Sequence, residues 1–369
     1  MSMARKVIIS GGGTGGHIFP AIAIAGALKR IEPDIEILFV GADGRMEMQK
    51  VPEAGYEIVG LDIQGINRKS FVKNLSLPFK MARSLWQANK IIKKFGAEAA
   101  IGVGGFASGP LLLVAGWMGI PTLLQEQNSY AGLTNKRLAK RAEKVCVAFE
   151  GMERYFPAEK IIFTGNPIRK TSVELEGKRD AAYRHFGLDP DKKTLLLVGG
   201  SLGALTLNRC MQEGVSKLVS QGMQVIWQCG ANYYQRLKAE VPQELLESVR
   251  LTAFIDKMDY AYAAADLIVA RAGAGTISEL CVVAKPTILV PSPNVAEDHQ
   301  TKNALALMNA KAALMVTDWN ARAELMDKII ELKNDEDLCK ALSSNIKAMA
   351  IDDADDRIAR EVLKMINKG

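Results

Sequence analysis

Five glycines within six residues, GGGTGG at 11–16, constrain this chain more than any other stretch. The run follows a short apolar strand at 7–9 and leads into an Ala- and Ile-rich helix at 21–28. Glycine permits φ > 0 and leaves no Cβ between the main chain and a neighbour. A strand, a glycine turn and a helix start, in that order, aim backbone N–H groups outward at the positive end of the helix dipole. Such a turn suits an anion or a sugar hydroxyl held close to the main chain. His17 stands where the turn meets the helix and brings a titratable imidazole to the same place.

Gly11, Gly13 and Gly16 also satisfy G-x-G-x-x-G. A dinucleotide fold would further want an acidic residue about 20 residues on, at the end of the second strand. That strand reads 35–40, and Asp43 comes late for the role. A His directly after the third glycine is equally foreign to a dinucleotide loop, so the pattern disfavours NAD.

Apolar strand-like runs alternate with helical stretches throughout. They fall at 7–9, 35–40, 99–103, 122–124, 144–148 and 161–164, then at 194–198, 224–229, 250–253, 267–270 and 287–290. This alternation predicts an α/β protein with parallel sheets covered by helices, whose ligands sit at the C-terminal ends of strands. With 369 residues the chain is long enough for two such domains. Residues 7–12 (VIISGG) are echoed by 195–200 (LLLVGG), each followed by a helix. Two Rossmann-like domains are expected, divided near Gly165-Asn166-Pro167: 1–166 with a returning C-terminal helix at 350–369, and 167–349. Asp352, Asp353, Asp355 and Asp356 read as part of a C-terminal linker.

The formal net charge of +6 allows an anionic partner without naming one. No apolar run reaches the ~18 residues of a membrane span. No signal peptide is evident, and five scattered cysteines without CxxC spacing read as reduced thiols in a cytosolic protein. Three widely spaced histidines carry no zinc signature.

A second glycine stretch, GVGGFASGP at 102–110, reads either as a tight strand-to-helix turn or as a second wall of the first site. Gln125-Glu126-Gln127-Asn128 reads either as a satisfied polar loop or as a sugar site. Residues 68–94 mix Phe71, Phe79 and Trp86 with Lys73, Lys80, Arg83, Lys90 and Lys94. That composition fits an anionic bilayer surface. It equally fits a helix whose stripe Met81, Leu85, Ala88 and Ile92 packs on the sheet. The sharpest motif is RAGAGTISE at 271–279. Its glycines make a turn after a strand, and Glu279 lies one helical turn in. A carboxylate there repels phosphate but accepts two vicinal hydroxyls, as on a ribose; the structural alternative is a helix-dipole carboxylate.

The set GGGTGGHIFPA, GVGGFASGP, QEQN, AGLTN, TGNPIR, GGSLGA, FIDKM, RAGAGTISEL and KPTILVP…DHQ…NA closely resembles the MurG family, in order, over about residues 6–304 and most of the C-terminal helix. The resemblance implies the GT-B architecture, two Rossmann-like domains with parallel sheets facing across a cleft. It implies inverting transfer of GlcNAc from UDP-GlcNAc to the C4 hydroxyl of MurNAc in lipid I, giving lipid II, with no metal and no cofactor. It implies a peripheral enzyme on the cytoplasmic face of the bacterial membrane, with no nucleic-acid partner. By position, Thr14, Gly15 and Gly16 would line the donor sugar and diphosphate, and Asn128 would contact the sugar. Arg169 and Ser201 would meet the diphosphate, and Ile255 the uracil through its backbone. Ala274, Gly275, Thr276, Ile277 and Ser278 would form the nucleotide turn, with Glu279 on the ribose and Gln300 on the GlcNAc hydroxyls. Some relatives carry Gln where Thr301 stands, which places Thr301 in question as a ligand.

Inversion requires a base at the acceptor hydroxyl. His17, kept neutral by the helix N-terminus, is one candidate; Glu126 is the other. Other readings are a different GT-B transferase, a dehydrogenase or a sugar-nucleotide sensor.

Overall fold

The computed structural model describes residues 4–63, 77–200 and 202–367. The chain divides into two compact units, Met1–Ile168 with Ile351–Gly369, and Arg169–Ala350.

The first unit holds seven strands: β1 (Lys6–Gly11), β2 (Glu36–Ala42), β3 (Glu57–Leu61), β4 (Ala99–Gly104), β5 (Thr122–Glu126), β6 (Lys144–Val147) and β7 (Ile161–Phe163). They form one parallel sheet in the order β3-β2-β1-β4-β5-β6-β7. The strand order reverses at β1, so its C-terminal end, where the first glycine turn begins, is the topological switch point at which such sheets bind ligands.

The second unit repeats the plan with β8 (Lys193–Val198), β9 (Met223–Gln228), β10 (Val249–Thr252), β11 (Leu267–Ala270), β12 (Thr287–Leu289) and β13 (Leu314–Met315). Their order is β10-β9-β8-β11-β12-β13, again parallel. The internal repeat thus marks the two switch-point strands, β1 and β8. Sequence reading missed β3 and β13. Both are edge strands, and partial burial with a Gly in one and two residues in the other leaves no apolar run to find.

The central strands are buried on both faces, which is why they read as continuous Val, Ile and Leu runs. The last helix, Ala354–Ile366, buries Ile358, Val362 and Met365 in the first unit's core beside the helix Gly15–Ile31. Asp355 and Asp356, expected in a linker, instead belong to this helix, and both pair with Arg30. The helix Leu77–Phe95 buries Ser84, Ala88 and Ile92 and leaves Phe79, Met81 and Trp86 exposed, so Met81 is not in the packed stripe. Residues 68–76 of the basic-aromatic segment lie outside the described residues.

Candidate active site

β1 runs into Gly12 and Gly13, the latter at φ 83°, and Thr14 caps the helix in an extended conformation. The turn interlocks with the second glycine stretch. Gly12 N–H donates to the Gly104 carbonyl at 3.3 Å. A Cβ on Gly105 would meet the Gly12 carbonyl oxygen at 2.5 Å, and one on Gly104 would meet the His17 ring at 2.7 Å. The stretch 102–110 is therefore both a tight turn and the wall on which His17 lies.

His17 Nδ1 lies 3.0 Å from the Gly12 carbonyl oxygen and 3.3 Å from Thr14 Oγ1. A carbonyl only accepts, so in this geometry Nδ1 is the donor to Gly12. Beneath the turn lies a residue that sequence reading missed. Glu47 is buried; its Oε2 accepts the Gly13 N–H at 2.9 Å and its Oε1 the Ala42 N–H at 3.1 Å. The Gly13 N–H is consequently engaged by the protein's own carboxylate. The signal was an acidic residue shortly after the second strand. Asp43, the residue weighed for that place, instead sits beside Gly60 of β3.

β5 extends through Glu126, so Gln125 and Glu126 are strand residues. Gln125 and Gln127 are buried and serve as braces. Gln125 donates to Asn166 Oδ1 at 2.9 Å, Gln127 to the Val103 carbonyl at 2.7 Å, and Asn166 to the Gln127 carbonyl at 3.0 Å. For these residues the satisfied-loop reading holds. Glu126 is buried and accepts four N–H bonds. They come from Asn128 N (3.2 Å), Asn128 Nδ2 (3.5 Å), Gly132 N (2.9 Å) and Asn135 Nδ2 (2.9 Å). Both carboxylate oxygens are thus tied to the loop that follows β5 and to Asn135.

In the second unit, β8 leads into Gly199 and Gly200, the latter at φ 87°. Ser201 lies outside the described residues. Gln228, at the end of β9, braces this turn: its Oε1 accepts the Gly199 N–H and its Nε2 donates to the Gly200 and Ala253 carbonyls, all at 3.0 Å. The two glycine turns thus differ in charge beneath them, a carboxylate under the first and a neutral amide under the second. Ile255 is buried and follows β10 in a loop, where its side chain anchors the backbone.

β11 delivers the third turn. Gly273 caps the helix Ala274–Val283, whose first residues, Ala274, Gly275 and Thr276, present N–H groups without partners inside the helix. Ser278 Oγ donates back to the Ala274 carbonyl at 3.1 Å, and Ile277 N–H closes the first turn onto the Gly273 carbonyl. The strand end is fixed by Arg271, which pairs with Asp318 and donates to the Val290 carbonyl at 3.0 Å. Glu279 is half-buried, and its Oε2 accepts from the Tyr262 hydroxyl at 3.0 Å. The packed atoms around it push its carboxyl above the ordinary value; the Tyr262 bond and the charge of Arg169 oppose that shift without overcoming it. Arg169 is thereby near enough to Glu279 for its charge to be felt there. Gln300 Oε1 accepts the Ser292 N–H at 2.9 Å, leaving its amide nitrogen as the donor end. Thr301 Oγ1, in the first turn of the helix His299–Asn309, donates to Asp298 just before that helix at 2.7 Å.

Burial pushes the Cys146 and Cys281 thiols up to about 12, far from a nucleophile's range. Among the described residues no cluster of His, Cys, Asp or Glu is placed to hold a metal, and no helix is long and apolar enough to cross a membrane.

Two Rossmann-like units, each with a glycine turn after its switch-point strand, make up the architecture of a GT-B glycosyltransferase. Residues 7–147 match the glycosyltransferase family 28 N-terminal domain and residues 194–358 its C-terminal domain. The chain is 57% identical to a UDP-N-acetylglucosamine–N-acetylmuramyl-(pentapeptide) pyrophosphoryl-undecaprenol N-acetylglucosamine transferase of Phocaeicola vulgatus, covering 98% of this chain and 97% of that one. A protein of the same name from Bacteroides thetaiotaomicron is 53% identical, with 99% of each covered. The crystal structure of Acinetobacter baumannii MurG superposes with a TM-score of 0.79 at 28% identity, over 98% of this chain and 99% of that one. The chain belongs to glycosyltransferase family 28, and within it to the MurG family.

Proposed function

We propose that this glycosyltransferase moves GlcNAc from UDP-GlcNAc to the C4 hydroxyl of MurNAc in lipid I, with inversion, giving lipid II at the cytoplasmic face of the membrane. The second unit holds the donor. Its N–H groups at Ala274, Gly275 and Thr276 and the neutral second glycine turn receive the diphosphate, with Arg169 and Ser201, as helix N-termini do for anions. Glu279 accepts the ribose hydroxyls, the Ile255 backbone meets the uracil, and Gln300 donates to a GlcNAc hydroxyl. The first unit supplies His17; Thr14, Gly15 and Gly16 on its glycine turn line the donor sugar and diphosphate, and Asn128, just after β5, contacts the sugar.

As the C4 oxygen attacks the anomeric carbon, His17 Nε2 takes the hydroxyl proton. The bond from C1 to the diphosphate oxygen breaks, and its electron pair leaves with UDP. Glu126 acts as a brace for the loop carrying Asn128. The observation that carries this assignment is the contrast between the two carboxylates. Glu126 accepts four N–H bonds, whereas Glu279 is known to accept from Tyr262 and stays partly open to solvent.

Membrane attachment is peripheral, through the helix Leu77–Phe95. Phe79 and Trp86 stand exposed on it, and Lys90 lies 5.5 Å from the Trp86 ring centroid. Incubating the protein with UDP-GlcNAc and a lipid I analogue tests the whole reading. Release of UDP with formation of a β-linked disaccharide is expected; UDP release without disaccharide, or no reaction, sinks it.

A further inference from the structure

The Gly12–Gly13 peptide is gripped from both sides. Its N–H, on Gly13, donates to Glu47 Oε2 at 2.9 Å, and its C=O, on Gly12, receives His17 Nδ1 at 3.0 Å. A trans peptide is planar and points its N–H and C=O in opposite directions. Fixing one end of the plane therefore fixes the other, and this matters most between glycines, whose backbone turns most freely. We propose that Glu47 is a positioning residue for His17, holding the Gly12–Gly13 peptide plane so that its carbonyl keeps the proton on Nδ1 and the lone pair on Nε2.

Glu47 is suited to this in three respects. It is buried, so water does not compete for its oxygens. Its second oxygen is tied to the Ala42 N–H at the end of β2, which anchors the carboxylate to the sheet. The space beneath the turn is closed as well: a Cβ on Gly12 would meet Glu47 Oε1 at 2.2 Å, and one on Gly41 its Cγ at 2.6 Å. A carboxylate can accept both N–H bonds, whereas an amide presents one oxygen and one donor group. Gln at this position could keep the Gly13 bond only by setting its NH2 against the Ala42 N–H. The second unit, which places no imidazole on its glycine turn, is braced by Gln228.

The inference rests on His17 acting as the base, and the test separates the two. Nitrogen-15 spectra of the imidazoles, with the His17 signals assigned by His17→Ala, report the tautomer without reference to activity. Wild type should show the Nδ1–H form. Glu47→Ala and Gly12→Ala, the second of which displaces the carboxylate without deleting it, should show mixed tautomers. In both, kcat should fall about 10–100-fold, the scale of a misplaced catalytic group, with KM for UDP-GlcNAc unchanged. Glu47→Gln should be intermediate on both readouts and covers the case in which Glu47→Ala does not fold. A pure Nδ1–H tautomer in the folded variants overturns the inference. Mixed tautomers with unchanged kcat support the positioning role and remove His17 from catalysis.

Discussion

The buried phenol of Tyr262 donates to Oε2 of Glu279 at 3.0 Å, which ties the carboxylate of the helix Ala274–Val283 to a neighbouring helix. Tyr262 lies on the helix Met258–Ala264, which precedes β11, so the packing of that helix sets where Glu279 points.

Glu279 should trade stability for binding. Desolvation raises its folded value above the ordinary 4.5, so the folded protein holds this proton to higher pH than the unfolded chain does. Its contribution to stability is full below pH 4.5 and is lost as pH rises through the folded value. Glu279→Gln should therefore melt higher than wild type at pH 7–8 without ligand, by roughly 2–4 °C per kcal/mol regained. The difference should close toward pH 4. Calorimetry across that range checks the sign, and a variant less stable at neutral pH contradicts it.

Glu279→Ala should weaken UDP-GlcNAc binding by about 1–3 kcal/mol, the scale of hydrogen bonds to a charged group. Titration calorimetry measures this directly. Unchanged UDP affinity would take Glu279 off the ribose.

His17→Ala should lower turnover by about 10²–10⁴ while leaving UDP binding, assigned to the other unit, intact. Glu126→Gln is the paired control. Because Glu126 accepts from Gly132 and Asn135, this change should cost about 1–3 kcal/mol of stability and retain turnover better than His17→Ala. If Glu126→Gln folds normally and is the more damaged enzyme, the base is Glu126.

Membrane binding should depend unequally on the basic residues of the helix Leu77–Phe95. Lys80 and Arg83 pair with Asp62 at 3.6 and 3.0 Å, which offsets their attraction to anionic lipid. Replacing Lys90 and Lys94 should cost up to roughly 1 kcal/mol per charge in vesicle sedimentation, and replacing Lys80 less. Phe79→Ser should weaken binding at high salt as well. Binding indifferent to salt and to all four positions would make this a solvated helix face.

Much of the fold is legible along the chain because its signals are local. Buried parallel strands announce themselves as Val, Ile and Leu runs, and glycine turns as strand–Gly–Gly–helix. Glu279 is found by counting one turn from Gly275. What depends on a partner far along the chain is not legible in this way. Gln125 and Glu126 share a tetrapeptide yet differ in duty, because Asn166 meets one and Gly132 and Asn135 meet the other. Lys80 and Lys90 look alike in sequence until Asp62 and Trp86 distinguish them. Glu47 stands 34 residues from Gly13 and comes beneath it only because β2 pairs with β1 in register. Residue type and spacing along the chain determined which groups could do chemistry. Which of them are already engaged by the protein's own N–H groups was decided only when the sheet brought distant segments together, since a hydrogen bond depends on distance in space and not on separation in sequence.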